Sequence, residues 1–239
     1  MKFTPTDVPG AHVRDNRGLL AAAEKRALIW LAHRLPAAVN SDHLSLAGLA
    51  AMAVAGLSFA AYAWIPPAAA AAAVVAALAL NWFGDSLDGT VARVRDQQRP
   101  RYGFYVDHVI DLAGAACLMM GLALSGLMHP VVATMLLAAY LLVSAESYLA
   151  THVRGVFRMS SFGFGPTELR IVLAAGALRA AYDPLVAIGP LGSIRLFDLG
   201  GAVAVAGMTV AFLLAAFRTT RDLYEAEPLP VPVAAKRSA

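Results

Sequence analysis

Charge is scarce in this chain: 15% of its 239 residues are Asp, Glu, Lys or Arg, against about a quarter in an ordinary soluble domain. A single cysteine, Cys117, excludes an intrachain disulfide and a cysteine-rich metal site. Long polar stretches are missing as well, and with 59% hydrophobic residues the chain is not a disordered one. No secretory leader is recognisable near the start. The charges of Arg14, Arg17, Lys25, Arg26 and Arg34 are interleaved with Leu19, Leu20, Leu28, Ile29, Trp30, Leu31 and Leu35, and no small-residue cleavage site follows a clean apolar core. What the sequence has is apolar length. Mean hydropathy is +0.63, and several runs approach the ~20 residues that cross a bilayer, which argues for an integral membrane protein over a soluble enzyme. A net charge of +3 and a pI near 9.2 would suggest nucleic acid in a soluble protein. Here membrane topology and anionic headgroups account for the basic residues, and no nucleic-acid partner is expected.

The expected fold class is all-α: a polytopic membrane protein with six transmembrane helices preceded by an N-terminal interfacial helix. A helix over 17–35 would carry apolar and basic residues on opposite sides, as helices lying in the interface do, and Pro36 ends it. Six apolar segments follow at 44–64, 68–92, 104–127, 130–153, 167–182 and 196–217, the fifth weakened by Arg179. The organisation is then a tail and interfacial helix over 1–43, a six-span domain over 44–218 and a tail over 219–239. Of the 19 Lys and Arg residues, 6 lie in 1–43, 4 in 93–101, 3 in 154–170 and 4 in 218–239. In a six-span chain all of these fall on one side, so the positive-inside tendency places both termini and the basic loops in the cytoplasm, with the protein in the cell (inner) membrane. The Ala-rich stretch 68–77 is expected to be a packing surface, since small residues let membrane helices approach closely.

Against this apolar background four acids stand out: Asp85 and Asp88 near the end of the second segment, Asp107 and Asp111 near the start of the third. A carboxylate in a membrane helix costs several kcal/mol unless it faces protein, water or a cation. Spacings of three and four put each pair on one helix face, and the short basic connection makes the two helices antiparallel neighbours. Four converging carboxylates in a low dielectric call for cations, and oxygen-only ligands suit Mg²⁺ or Mn²⁺. Two such ions sharing carboxylates are the usual device for displacement at phosphorus. Gly84, Gly89 and Gly103 would let a phosphate approach the backbone, and Arg93 supplies a charged fork for its oxygens. Two other readings compete. Acids at helix ends serve as caps and Asp-Gly marks turns, and clustered intramembrane acids also build ion pathways in transporters.

The order Asp85, two residues, Asp88-Gly89, two residues, Ala92-Arg93, nine residues, Gly103, three residues, Asp107, three residues, Asp111 resembles the signature of the CDP-alcohol phosphotransferases at all eight of its fixed positions. The resemblance extends over nearly the whole chain. It implies that Asp85, Asp88, Asp107 and Asp111 hold two divalent ions, that Asp111 also acts as general base on the acceptor hydroxyl, and that Gly89, Ala92, Arg93 and Gly103 line the site of the CDP-linked donor. The reaction it implies is transfer of a phosphatidyl group from CDP-diacylglycerol, a lipid donor, to a small polar alcohol with release of CMP, in phospholipid biosynthesis. The reverse assignment, in which a CDP-alcohol of the choline or ethanolamine type gives its phospho-alcohol to diacylglycerol, stays open. An intramembrane prenyltransferase also uses Asp-rich helices and Mg²⁺ but lacks the Asp-Gly-x-x-Ala-Arg element. The resemblance also points to a homodimer.

Other polar residues carry less definite expectations. Ser41-Asp42-His43-Leu44-Ser45 sits where many family members show Pro-Asn-x-Leu-Thr, so Asp42 either contacts the nucleotide or caps the first span. Glu146, with Ser144, Ser147 and Tyr148 around it, either reaches the acceptor or bonds a neighbouring helix. Thr167 and Glu168 suit a helix N-terminus, and Glu168 and Arg170 are the leading candidates for contacts to the acceptor headgroup. His108 and His152 are expected at the surface, and Cys117, Met119 and Met120 in packing.

Overall fold

The computed structural model describes residues 21–154, 166–227 and 229. The start of the expected interfacial helix at Arg17, with Arg14, Arg158, Lys236 and Arg237, lies outside them.

Seven α-helices make up the described architecture: α1 (Ala21–Ala32), α2 (Ser41–Ala60), α3 (Pro67–Val94), α4 (Pro100–Leu124), α5 (Pro130–Arg154), α6 (Pro166–Tyr182) and α7 (Leu196–Ala226). A 3₁₀ turn, Ala61–Ala63, extends α2, and a two-stranded antiparallel hairpin, β1 (Leu185–Ala187) and β2 (Ser193–Arg195), joins α6 to α7 with Leu185 opposite Arg195. Proline opens four of the helices, at 67, 100, 130 and 166. Its fixed φ is already helical there, and its missing N–H is one that a first turn leaves unbonded anyway. The first span is capped by Asn40: its Oδ1 accepts the His43 amide at 2.9 Å while His43 Nδ1 accepts the Asn40 amide at 3.4 Å. The expectation that Asp42 caps this helix is corrected on that point. Asp42 is turned instead toward the α3–α4 connection.

Five helices, α2 with its 3₁₀ extension, α3, α4, α5 and α7, are long and apolar enough to cross a membrane. The fifth expected segment became α6, whose 17 residues rise about 25 Å, short of a ~30 Å hydrocarbon core. Glu168, Arg170 and Arg179 reduce its apolar character further. Contacts between helix ends establish the running directions. Ser45 at the start of α2 bonds Asp88 at the end of α3, and Arg170 at the start of α6 pairs with Asp85 of α3. At the opposite end the Tyr62 hydroxyl bonds the Ala177 carbonyl of α6, and Asp198 at the start of α7 accepts the His129 amide. The chain therefore leaves α5 at the carboxylate end and enters α7 at the hairpin end, and α6 runs between the two.

The centre of the bundle is built on close helix approach. A Cβ on Gly84 would lie 2.6 Å from the Leu44 carbonyl and 2.8 Å from the Gly48 amide, and one on Gly121 would overlap the Gly56 carbonyl. Helices α3 and α4 therefore touch α2 backbone to backbone, the contact that small residues permit in membranes. Ala70, Ala71, Val74 and Ala77 are buried, as expected of the Ala-rich stretch. Phe59, fully buried, meets Phe197 edge-on with ring centres 5.5 Å apart. Outward-facing Leu46, Leu57, Leu80, Met120, Leu213 and Phe217 are exposed, an apolar exterior that suits lipid and not water.

Helix α1 packs Leu28 and Ala32 against Leu44, Leu87 and Val91. Ile29 and Trp30 face outward together with Lys25, Arg26 and Arg34, so the apolar residues do not all share one side as expected. The protein takes one apolar face and leaves another bare. Arg95, just past α3, fixes the α1–α2 connection by donating to the carbonyls of Val39 at 2.6 Å, Leu35 at 2.9 Å and Pro36 at 3.1 Å.

Candidate active site

Crossing of α3 and α4 at the carboxylate end brings three acids together: Asp85, Asp107 and Asp111 each offer a carboxylate oxygen, all within 4.8 Å of one another. All three are partly buried. The i, i+4 spacing of Asp107 and Asp111 puts both on the α4 face that meets α3. Asp88, the fourth expected ligand, stands outside this group. Its Oδ2 accepts the Ser45 hydroxyl at 2.6 Å and its Oδ1 lies 2.5 Å from the Gly89 amide. Three of the four acids thus offer oxygens close together, while Asp88 bonds Ser45 at the start of α2.

The donor set fits a hard divalent cation. Among the described residues the atoms brought together are carboxylate oxygens, and the nearby His108 has its Nδ1 2.6 Å from the Phe104 carbonyl. His108 is buried, stacked on Phe104 and edge-on to Tyr148. It is a packing residue under the site, correcting the surface position expected of it. The guanidinium of Arg170 is a single positive charge set against three carboxylates.

Arg170, a sequence candidate for the acceptor headgroup, is bonded within the carboxylate site. It reaches from α6 to Asp85 Oδ2 at 2.5 Å through Nη2 and to Asn81 Oδ1 at 2.7 Å through Nε. Asn81 is buried and donates from Nδ2 to the Gly48 carbonyl at 2.9 Å. Sequence reasoning missed Asn81, although its position four residues before Asp85, after an unbroken apolar run, was a usable signal. On α5, Tyr140, Ser144 and Tyr148 are all partly buried, and Tyr148 meets His108 edge-on. Their i, i+4, i+8 spacing makes one hydroxyl-bearing face.

The remaining expected residues are distributed as follows. Arg93 donates to Thr90 at 3.1 Å and is exposed, and a Cβ on Gly89 would meet its Nη1 at 3.3 Å. Ala92 is partly buried one residue before it. Gly103 opens onto free space, and a Cβ placed there would meet nothing within 4 Å. Gly84, by contrast, is spent on the contact with α2 and is not available to a phosphate, a correction to the expectation above. Glu146 accepts the Thr219 hydroxyl at 2.9 Å and so ties α5 to α7, the second of its two expected uses. Arg154 pairs with Asp222 at 3.0 Å between the same helices. Glu168 lies partly buried in the first turn of α6. Asp42 pairs with Arg99, which also covers the Tyr102 ring, and that hydrogen bond raises the guanidinium pKa further. Asp42 and Arg99, with Asn40, Ser41, Gln97 and Gln98, line an open polar cleft of about 420 Å³.

The family model for CDP-alcohol phosphatidyltransferases matches residues 41–217. The chain belongs to that family. Comparison with individually curated proteins finds no match. In this CDP-alcohol phosphatidyltransferase the matched region runs from the first turn of α2 into the second half of α7, so the carboxylate group, Arg170 and Glu146 all lie inside it.

Proposed function

We propose that this CDP-alcohol phosphatidyltransferase moves a phosphatidyl group from CDP-diacylglycerol to a small polar alcohol and releases CMP. The observation that carries the reading is the three-carboxylate group of Asp85, Asp107 and Asp111 on the signature helices. In this reading those residues, with Asp88, would hold two Mg²⁺ or Mn²⁺ ions. Bound there, the ions would offset the charge that builds on the donor diphosphate.

The chain's own residues account for the rest. Arg93 gives up its weak bond to Thr90 and offers its fork to a diphosphate oxygen, a stronger, charge-assisted partner. Gly89, Ala92 and Gly103 present little side chain, and the open space at Gly103 admits the donor. Asp111 accepts the acceptor hydroxyl proton as the new O–P bond forms and the P–O bond to CMP breaks, so the proton rests on Asp111 and the electron pair leaves with CMP. Glu168 and Arg170 at the start of α6 remain the candidates for the acceptor headgroup. The cleft beside Asp42 and Arg99 offers room for a nucleoside. Glu146, held by Thr219, is read as a tie between helices.

Around this centre we read α6 as a short sixth crossing, its polar start at the carboxylate end, and α1 as lying along the membrane surface with Trp30 and Arg34 outward. The basic connections then face the cytoplasm of a cell whose inner membrane holds the protein. A homodimer is part of the reading on the resemblance alone. Purified protein in detergent with Mg²⁺ and CDP-diacylglycerol should release CMP and form a new phospholipid with one member of a panel of polar alcohols. CMP release with CDP-choline or CDP-ethanolamine and diacylglycerol, but with no alcohol in the panel, would overturn the assignment of the donor.

A further inference from the structure

Asp85 has two demands on it. It belongs to the carboxylate group, and its Oδ2 is already held by Arg170 at 2.5 Å. The pair is mostly buried, with side-chain exposures of 14% for Arg170 and 20% for Asp85. Arg170 does not hang freely from α6. Its Nε is fixed by Asn81 Oδ1 at 2.7 Å, and Asn81, 6% exposed, is itself oriented by the Gly48 carbonyl at 2.9 Å. Asn81 and Asp85 lie one turn apart on α3, so their oxygens match two donors of one guanidinium.

A divalent ion entering between Asp85, Asp107 and Asp111 meets a resident positive charge at one of its ligands. The two cations repel at short range in a partly buried setting, where such interactions are little screened. The bond to Asn81 involves a neutral acceptor and has no such conflict. We propose that Arg170 is the resident counter-cation of Asp85, kept in register by Asn81, and that divalent metal displaces it from Asp85 so that loading of the site unmasks one arm of the guanidinium at the start of α6. Asn81 is then a positioning residue, and metal occupancy is coupled to the placement of α6. The inference rests on the metal reading given under Proposed function.

The test uses the whole purified protein in detergent with Mn²⁺ alone as probe. Binding is read from the loss of the free Mn²⁺ electron-spin-resonance signal. Arg170→Gln removes the competing charge and should tighten Mn²⁺ binding on the order of tenfold, whereas Arg170→Lys, which keeps the charge and loses the fork, should tighten it less. In unaltered protein, phenylglyoxal should label Arg170 faster with saturating Mn²⁺ than in chelator, as read by peptide mass spectrometry. This arm decides the matter if Arg170→Gln does not fold. Mn²⁺ binding that is unchanged or weaker in Arg170→Gln, or labelling indifferent to Mn²⁺, overturns the counter-cation while leaving the metal site in place. Absence of Mn²⁺ binding to the unaltered protein overturns both.

Discussion

Gly84→Ala tests how the fold holds the site. The added Cβ would stand 2.6 Å from the Leu44 carbonyl and 2.8 Å from the Gly48 amide, both backbone atoms that no rotamer change can move. Restoring an ordinary contact of about 3.4 Å requires α2 and α3 to part by roughly 0.8 Å, the kind of overpacking that costs about 1–3 kcal/mol. One residue away, Asp85 joins the carboxylate group, and four residues away Asp88 accepts the Ser45 hydroxyl at 2.6 Å. A shift of this size carries that bond beyond its normal length of about 3.0 Å and displaces Asp85 relative to α4. Misplacement of about 1 Å can cost ~10²-fold in rate, so CMP release should fall by one to two orders of magnitude while thermal unfolding in detergent drops by about 3–10 °C. Gly103→Ala is the contrast. Its Cβ meets nothing within 4 Å, so unfolding should be unchanged and only donor binding should weaken. Wild-type unfolding temperature and rate in Gly84→Ala would refute the close-approach argument.

Other perturbations probe single groups. Asp111→Asn keeps the shape of the side chain and loses its basicity, and should lower the rate by about 10²–10⁴-fold with Mn²⁺ still bound; normal turnover would remove its role as base. Arg93→Ala should raise the KM for the donor, and an unchanged KM would remove the diphosphate contact. Asp183, at the hairpin end, is held below the usual carboxylate range by the Leu185 amide and then by Arg179. Its contribution is therefore present above about pH 4, the unfolded value, and is lost as pH falls through the lower folded one. The protection factor of the Leu185 amide, its exchange rate relative to the intrinsic rate at the same pH, should fall only at that acidic limit, and a fall near neutral pH would contradict the assignment.

Helices were legible because each is a local pattern. The apolar run over 68–92 became Pro67–Val94, and that over 130–153 became Pro130–Arg154. The signature acids were legible for the same reason, since i, i+3 and i, i+4 spacings determine a shared face. What escaped were pairings between distant segments. Ser45 with Asp88, Asn81 with Arg170 and Glu146 with Thr219 are separated by 43, 89 and 73 residues, and no local spacing encodes them. Gly84 shows the limit from another side: beside a carboxylate it looked like room for a phosphate, and only the position of α2 reveals that the room is filled. Asn40 was overlooked as a cap because Asp42 offered the same chemistry two residues on. Length alone does not decide α6: its 17 residues carry Arg170, bonded to Asp85 at the carboxylate end, and the Ala177 carbonyl, bonded to Tyr62 toward the other end.

The central claim is that the carboxylate group holds divalent cations on which transfer depends. It is tested most directly by following CMP release from CDP-diacylglycerol and the acceptor in one preparation, first with Mg²⁺, then after exhaustive chelation, then with Mg²⁺ or Mn²⁺ restored. The account predicts activity that vanishes on chelation and returns with either ion, and no return in Asp85→Asn. Full CMP release in excess chelator would contradict it.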